Sequence, residues 1–301
     1  MSSLLTNSTA MTALQTLRSV SSQLSSTQTR ISTGQRVSTA SDNAAYWSIA
    51  TSMRADNAAL SAVSDSLGLS AATVDTEYTA LNTVIGDKNS GLTKLQSLLV
   101  EAKTAGIDRS KIQADITQIQ DQMKSTSDAA TFNGVNWLSA TSSTPTTVSL
   151  VSSFSRVGST PTTGAITLTT ATYTLYSAGG STGLLESTGA VSVANMDITS
   201  LTDAASDQTT LDTYIAQVTA AINSVASAAA DLGAVKNRIS TNTEFVKSLM
   251  DSVDRGIGQL VDADMNQEST RLAALQVQQQ LGVQALSIAN NSSQSILSLF
   301  R

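Results

Sequence analysis

The acidic residues near the C-terminal end are the clearest candidates for metal chemistry in this sequence. Residues 262–268 (DADMNQE) place carboxylate and amide oxygens at alternate positions, as a calcium loop does. Such a loop also needs a glycine at its sixth position and a bidentate glutamate at its twelfth, where this chain has Gln267 and Ala273. We therefore expect no metal site here.

The same carboxylates suit a structural role at the start of a helix. Asp262 and Asp264 precede a helical pattern, where negative charge is stabilised by the positive end of the helix dipole. Glu268 and Arg271 stand three positions apart, so they can pair on one helix face.

Histidine and cysteine are both absent from the 301 residues. The chain therefore has no thiolate nucleophile, no Ser-His-Asp triad and no Cys or His ligands for zinc. A net charge of −6 argues against nucleic-acid binding, which needs a basic surface. No apolar run approaches the ~20 residues of a membrane span, and the N-terminus lacks the features of a cleaved signal. We predict a protein that is not an enzyme, needs no cofactor and does not insert into a membrane.

Proline placement separates helical from non-helical sequence. The two prolines, Pro145 and Pro161, fall in one stretch, and the proline-free flanks permit long helices. The flanks carry rows that step by three and four residues, as in helices packed like a coiled coil. The N-terminal rows are Ala10, Leu14, Leu17, Ser21, Leu24, Gln28 and Ile31, then Met53, Asp56, Leu60, Val63, Leu67, Ser70, Val74, Glu77, Leu81 and Val84, continuing past Lys88 and Gly91 to Leu95, Leu98 and Ala102.

The C-terminal flank repeats this pattern. One row runs from Leu211 to Leu260, and a second runs through Met265, Glu268, Leu272, Leu275, Gln279, Gly282 and Leu286 to Phe300. The rows nearest both termini are rich in polar and small residues, so these helices bury little apolar area alone and should be marginal in isolation. We expect them to pack against other chains.

The stretch between the flanks, residues 139–200, has a different character. Apolar and polar residues alternate around Ile166, from Tyr173 to Tyr176 and around Val193, and this alternation predicts strands. Disorder is the competing interpretation, against which the strand-forming side chains weigh. The predicted fold is mainly α: a long coiled-coil-like helical bundle built from both chain termini, with a small β-rich inserted outer domain.

Sequence motifs at both ends resemble those of bacterial flagellin, the subunit of the flagellar filament. The N-terminal motifs are residues 24–37 (LSSTQTRISTGQRV) and 38–45 (STASDNAA), followed later by residues 131–135 (TFNGV). The C-terminal motifs are residues 262–269 (DADMNQES), 284–290 (QALSIAN) and 297–301 (LSLFR). The resemblance covers both flanks and leaves only the middle unmatched.

This resemblance implies a subunit that self-assembles into an extracellular filament for swimming. It implies export of the unfolded chain through the flagellar type III secretion apparatus, with an export chaperone and hook-associated or cap proteins as partners, and co-assembly with other flagellins is possible. It also implies terminal arms that become helical on assembly. The predicted domains are arms at 1–45 and 259–301, rod halves at 46–138 and 201–258, and the insert at 139–200.

Contacts between subunits are expected along the terminal rows and at a cluster of charged and polar residues near residue 40. For that cluster, capping and surface solvation is the competing interpretation. The predicted subunit-interface residues are Leu14, Leu17, Leu24, Arg30, Ile31, Arg36, Asp42, Asn43, Arg54, Leu272, Leu275, Leu286, Ile296, Leu299 and Phe300.

The sequence departs from the family pattern at two places. Tyr46 and Trp47 stand where the family commonly has glycine and leucine, so we expect bulkier packing there. Lys94, Gln96 and Ser97 occupy a segment in which many flagellins carry arginines and a glutamate read by Toll-like receptor 5. We therefore expect weak or no recognition by that receptor.

Three other functions fit parts of the sequence. A hook–filament junction protein shares similar ends and is the main alternative. A chemoreceptor-type coiled coil would carry a membrane span or sensory domain and a highly charged row, which are not evident here. An enzyme within the insert would lack the histidines of the known metallopeptidase pattern.

Overall fold

The computed structural model describes residues 7–140, 147–158, 160–177, 180, 182–186 and 192–299, with side chains for all of these except 157 and 292–299. Six α-helices lie in these ranges: α1 (Ser8–Thr33), α2 (Ala44–Ile85), α3 (Gly91–Ala102), α4 (Arg109–Ala129), α5 (Ala205–Val261) and α6 (Met265–Leu299). The strands there are β1 (Ser139–Ala140), β2 (Thr147–Val157), β3 (Thr160–Thr169) and β4 (Tyr176–Ser177). These elements confirm a mainly α fold with a small β-rich insert.

The chain divides into two compact units. Unit 1 contains Met1–Ala58 together with Asp251–Arg301, and unit 2 contains Ala59–Met250. Helices α2 and α5 supply residues to both units. The predicted division into five domains stays a prediction.

The core of unit 2 is built on the inward row of α2. Every member of the predicted row from Leu60 to Val84 is buried, which confirms it. Helix α5 packs against this helix: a Cβ added at Gly233 would lie 3.6 Å from the ring of Tyr78. Its own buried residues follow the same helical spacing and include Leu211, Val218, Val225 and Leu232.

Two glycines end α2 and start α3. Gly86 and Gly91 have φ angles of +66° and +64°, and an added Cβ would lie 2.1 Å from the Ser90 carbonyl oxygen and 2.3 Å from that of Val84. The prediction that one row continues past Lys88 and Gly91 is therefore wrong, because the backbone turns between the two helices. The row resumes on α3, whose inward residues are Leu92, Leu95, Leu98, Leu99 and Ala102.

The insert contains a β-hairpin and one short parallel pair. Strands β2 and β3 are antiparallel, from Thr147 opposite Thr169 to Val157 opposite Thr160, with a register shift between Val151 and Ser153. The predicted strand around Ile166 is confirmed as part of β3. In the second pair, β1 lies parallel to β4.

The other two predicted strands are largely wrong. The backbone N–H groups of Tyr173 and Thr174 both donate to the Thr170 carbonyl oxygen, so this segment forms a turn, and only Tyr176 enters β4. The third predicted strand covered residues 191–193, of which 191 lies outside the described residues and Val193 opens a short 3₁₀-helix. All four residues from Tyr173 to Tyr176 are buried, so their alternation of apolar and polar types does not correspond to two faces of a strand.

Helix α5 also contains a stretch that passes for a membrane span on length and composition. An 18-residue window has a mean hydropathy of 1.3, and 39% of it is buried inside the protein. The expectation that no stretch is apolar enough for a span is therefore wrong for α5. A buried core helix meets the same criterion, because its apolar side chains serve internal packing.

Candidate assembly interface

Helices α1 and α6 pack along each other in unit 1. The inward side of α6 confirms the predicted row from Glu268 to Ala289, with Leu275 buried and Leu272 and Leu286 half-buried, but Met265 at the start of that row is exposed. The helices approach closely at Gly282, where an added Cβ would lie 3.5 Å from Leu17 Cδ1. Small residues in the row therefore allow the two backbones to come together.

The inward row of α1 differs from the predicted one. Leu17, Leu24 and Ile31 are half-buried as expected, but the residues between them lie one position earlier than predicted. Periods of four-then-three and three-then-four share every seventh residue, and apolarity alone does not decide between them. Leu14 is exposed as a result, and the missed inward residues are Ala13, Val20 and Thr27.

A salt bridge joins the two helices at the end of α1. The Arg30 guanidinium Nη1 lies 3.1 Å from Glu268 Oε1, and the side chains are 31% and 7% exposed. The second Glu268 oxygen is buried without a hydrogen-bond partner among the described residues. The predicted pairing of Glu268 with Arg271 is wrong, since the carboxylate turns inward and Arg271 is exposed.

The segment after α1 is tied by its backbone to the junction of α5 and α6. The N–H groups of Arg36 and Val37 donate to the Val261 carbonyl oxygen at 2.6 and 3.3 Å, and Ala263 N–H donates to the Gly34 carbonyl oxygen at 2.9 Å. The Arg36 guanidinium also donates to the Leu260 carbonyl oxygen at 3.1 Å. Val37 is buried.

Asp42 and Asn43 organise the entry into α2. Asp42 Oδ2 accepts from the N–H groups of Thr39 and Ser38 at 2.9 and 3.1 Å. These bonds, above all that from the Thr39 backbone, hold the pKa of the Asp42 carboxyl below its usual value. Asn43 Oδ1 accepts from Tyr46 N–H at 3.1 Å, as an N-cap does.

A small apolar core lies below this entry. Ala50, Ile257 and Val261 form it, and Met53 packs against it with its Cε 2.8 Å from a Cβ added at Gly256. Arg54 is exposed on the same helix. Unit 1 thus brings Arg30 against α6 and Arg36 against the α5–α6 junction, whereas the bonds of Asp42 and Asn43 to other described residues are local.

Tyr46 and Trp47 point outward. Their side chains are 40% and 36% exposed, and the Arg36 guanidinium lies 5.8 Å from the centre of the Tyr46 ring. The Arg36 guanidinium packs over one of the two rings, and the prediction of bulkier packing at this joint stays a prediction.

A second apolar row lies on the outer side of α6. Val277, Leu281 and Ile288 are 55%, 57% and 67% exposed. Their spacing of four and seven places them on one face, about half a helical turn from the row that packs on α1. This outer row was missed by sequence reasoning, although its spacing was visible. The side chains of Ile296, Leu299 and Phe300 lie outside the described residues.

Among the residues described, no group of three or more acidic side chains is placed to hold a metal ion. Asp262 instead pairs with Gln35 as an isolated β-bridge. Asp264 Oδ1 accepts from Asn266 N–H at 2.9 Å, which confirms its predicted place at the start of α6.

Comparison with models of protein families shows to which family a chain with these paired terminal helices belongs. Residues 4–143 match the bacterial flagellin N-terminal helical region, and residues 215–300 match the bacterial flagellin C-terminal helical region. The chain belongs to the bacterial flagellin family. The helices that meet in unit 1 therefore come from both of the family's helical regions.

Curated flagellins match over the full length of both chains. The flagellin of Brucella melitensis biotype 1 is 46% identical over 302 residues, and flagellin C of Rhizobium meliloti (strain 1021) is 43% identical over 328. Flagellin A of Rhizobium meliloti is 39% identical over 403, which requires long gaps in this shorter chain. The hook–filament junction alternative gains no support from these matches.

Proposed function

We propose that this chain is a structural subunit that assembles with copies of itself, and with related flagellins, into the extracellular filament of a bacterial flagellum. The observation that supports it best is the two-sided α6. One side packs on α1, while the outer row of Val277, Leu281 and Ile288 stays exposed. In a filament, neighbouring subunits would cover the outer row, and the burial of apolar area would stabilise the assembly.

The proposed role of each predicted interface residue follows from its position. Six leucine and isoleucine side chains would hold the α1–α6 pair together: Leu17, Leu24, Ile31, Leu272, Leu275 and Leu286. The salt bridge of Arg30 would stabilise the pair at the end of α1. Leu14 and Arg54 are exposed and would contact neighbouring subunits directly. Arg36, Asp42 and Asn43 would set the geometry of the entry into α2. Ile296, Leu299 and Phe300 are proposed as contacts on the basis of the family resemblance.

Seeded elongation of purified monomer tests this proposal. Filament fragments should be elongated by the unchanged chain at neutral pH, and Leu281→Gln should slow elongation severalfold or abolish it. Val283→Gln is the matched control, because Val283 is equally apolar and exposed on α6 but lies off the outer row. Equal effects of both variants would contradict a role for the outer row. Failure of the unchanged chain to elongate seeds would contradict the filament function itself.

The finer properties implied by the family are proposed with it. The chain would be exported unfolded with a dedicated chaperone, be assembled beneath cap or hook-associated proteins, and have no enzymatic activity. Weak or absent recognition by Toll-like receptor 5 is proposed from the side chains on α3. Gln96 donates to Thr219 at 2.8 Å and Ser97 donates to the Lys94 carbonyl oxygen at 2.8 Å. A reporter-cell assay giving full potency with purified monomer would contradict it.

A further inference from the structure

Glu77 is a carboxyl group in the middle of the core of unit 2. It belongs to the inward row of α2 and has no exposed surface. Its Oε1 accepts one hydrogen bond, from the backbone N–H of Trp137 at 2.8 Å, and Oε2 is buried without a partner among the described residues. A carboxylate buried in this way, with one donor and no cation, costs more free energy than a neutral carboxyl group.

Trp137 lies near the end of the segment that leads from α4 to β1, at the root of the β-rich insert. Its side chain is buried and its ring lies 6.4 Å from that of Tyr173, centre to centre. Asn136, just before it, donates to the Ser127 carbonyl oxygen at 2.8 Å and accepts from Leu138 N–H at 2.9 Å. The Glu77 bond therefore ties the root of the insert to α2.

The charged groups on the surrounding elements are engaged elsewhere. The Lys236 side chain on α5 pairs with Asp75 on α2, and Lys124 on α4 lies over the ring of Tyr176. None of the described ion pairs reaches Glu77. The acidic groups nearby accept from hydroxyls: Asp128 on α4 from Ser139, and Asp231 on α5 from Tyr173.

We propose that the Glu77 carboxyl and the Trp137 backbone form a proton-controlled latch, which holds the insert root on α2 while Glu77 is protonated and loosens when it ionises. An ionised group would accept more strongly from Trp137 N–H, but one bond cannot replace the lost hydration of a charge. The ionised carboxylate would therefore draw water between the Glu77 side chain and the Trp137 backbone, and this water would separate them. This device is independent of filament assembly and adds a regulatory property to the fold.

The titration of nearby groups is compatible with this assignment. Burial raises the pKa of Glu77 to about 7, and the Trp137 hydrogen bond offsets only part of that rise. Burial also raises the pKa of Tyr173 and of Tyr176 above its usual range, so neither phenol ionises near neutral pH. Glu77 is thus a group in this core whose charge changes around neutrality.

Tryptophan fluorescence of the full chain tests the latch directly. The chain has two tryptophans, so Trp47→Phe leaves Trp137 as the only reporter. Acrylamide quenching of Trp137 should be weak below neutrality and rise severalfold with a midpoint near pH 7. Far-UV circular dichroism should stay constant over the same range, because the opening is local.

Two further variants in the Trp47→Phe chain assign the transition. Glu77→Gln should abolish it, whereas Glu101→Gln, which changes an exposed glutamate on α3, should leave it intact. If Glu77→Gln does not fold, Glu77→Met tests the same point with another side chain that cannot ionise. Quenching that stays flat between about pH 5 and pH 9 would overturn the proposal, as would a transition that persists in Glu77→Gln.

Discussion

The Arg30–Glu268 pair is asymmetric, because its carboxylate is buried and its guanidinium reaches solvent. Arg30→Ala would leave a buried charge without its cation, at a cost of about 2 to 4 kcal/mol to the α1–α6 pair. Glu268→Ala should cost about 1 to 2 kcal/mol, because Arg30 can rehydrate. The temperature at which filaments of each variant dissociate measures the difference.

Arg271→Ala provides the control for that pair. Arg271 is the partner that sequence spacing assigned to Glu268, yet it is exposed on α6. Its removal should change stability by less than about 0.5 kcal/mol. A loss as large as that of Arg30→Ala would show that Glu268 pairs within α6 after all.

Glu77 should make the stability of unit 2 depend on pH. Its pKa is about 7 in the folded chain, against an ordinary value of 4.5, so the folded state holds its proton over a range in which the unfolded state releases it. The contribution of Glu77 to the free energy of unfolding is therefore largest below about pH 4.5 and falls by at most about 3 kcal/mol as the pH rises to about 7. Denaturant unfolding of the chain and of Glu77→Gln tests this. The variant should lack this pH-dependent loss, and equal slopes in the two chains would contradict it.

Residue positions were predictable from sequence where the question was only which face of a helix a residue occupies. The α6 row and the cap at Asp264 depend on local spacing, and both are confirmed. The partner of Glu268 lies 238 positions away in the chain, and periodicity carries no information about that distance. Whether Val20 or Ser21 faces α6 likewise depends on the side chains of α6 that pack against α1, which the sequence of α1 does not contain.

At the scale of elements, Gly68 within α2 and Gly86 just after it should respond oppositely to substitution. Gly68 lies in the helix interior with open space around it, so Gly68→Ala should stabilise unit 2 by about 0.5 to 1 kcal/mol. At Gly86, with φ +66° and the Ser90 carbonyl oxygen in the way, Gly86→Ala should cost about 1 to 3 kcal/mol. Thermal unfolding measures both changes. A neutral Gly86→Ala would mean that the α2–α3 turn readily adopts another conformation.

The turn between α2 and α3 also explains why the sequence pattern predicted one row that continues beyond the end of α2. Rows on α2 and α3 both keep helical spacing, and the five residues between Ile85 and Gly91 are too few to disturb it visibly. The left-handed backbone at Gly86 and Gly91 ends one helix and starts the next, and the two glycines in the sequence are compatible with that conformation without requiring it. In the insert, the alternation from Tyr173 to Tyr176 predicted a strand that is not there. All four residues are buried, so the alternation of apolar and polar types does not mark a buried and an exposed face.

At the scale of the whole molecule, sequence alone separated the helical flanks from the insert. The absence of proline outside one stretch and the long rows on either side were sufficient for that. The division at Ala58 and Asp251 was not visible, because it cuts through α2 and α5 without a break in their pattern. The region between the two matched family regions, residues 144–214, is where the hairpin lies.

The hairpin tip should be dispensable for assembly, because its described residues beyond the register shift are largely exposed while its base is buried. Val151 and Ala165 are paired across β2 and β3, so an Asn-Gly turn can join them in place of residues 152–164. The shortened chain should unfold within about 0.5 kcal/mol of the original and elongate seeds at the same rate. Ile166→Ala, which keeps the tip but opens the buried base, should cost about 2 to 4 kcal/mol. If the shortened chain folds normally yet fails to elongate seeds, the tip itself contacts neighbouring subunits and the insert is part of the assembly surface.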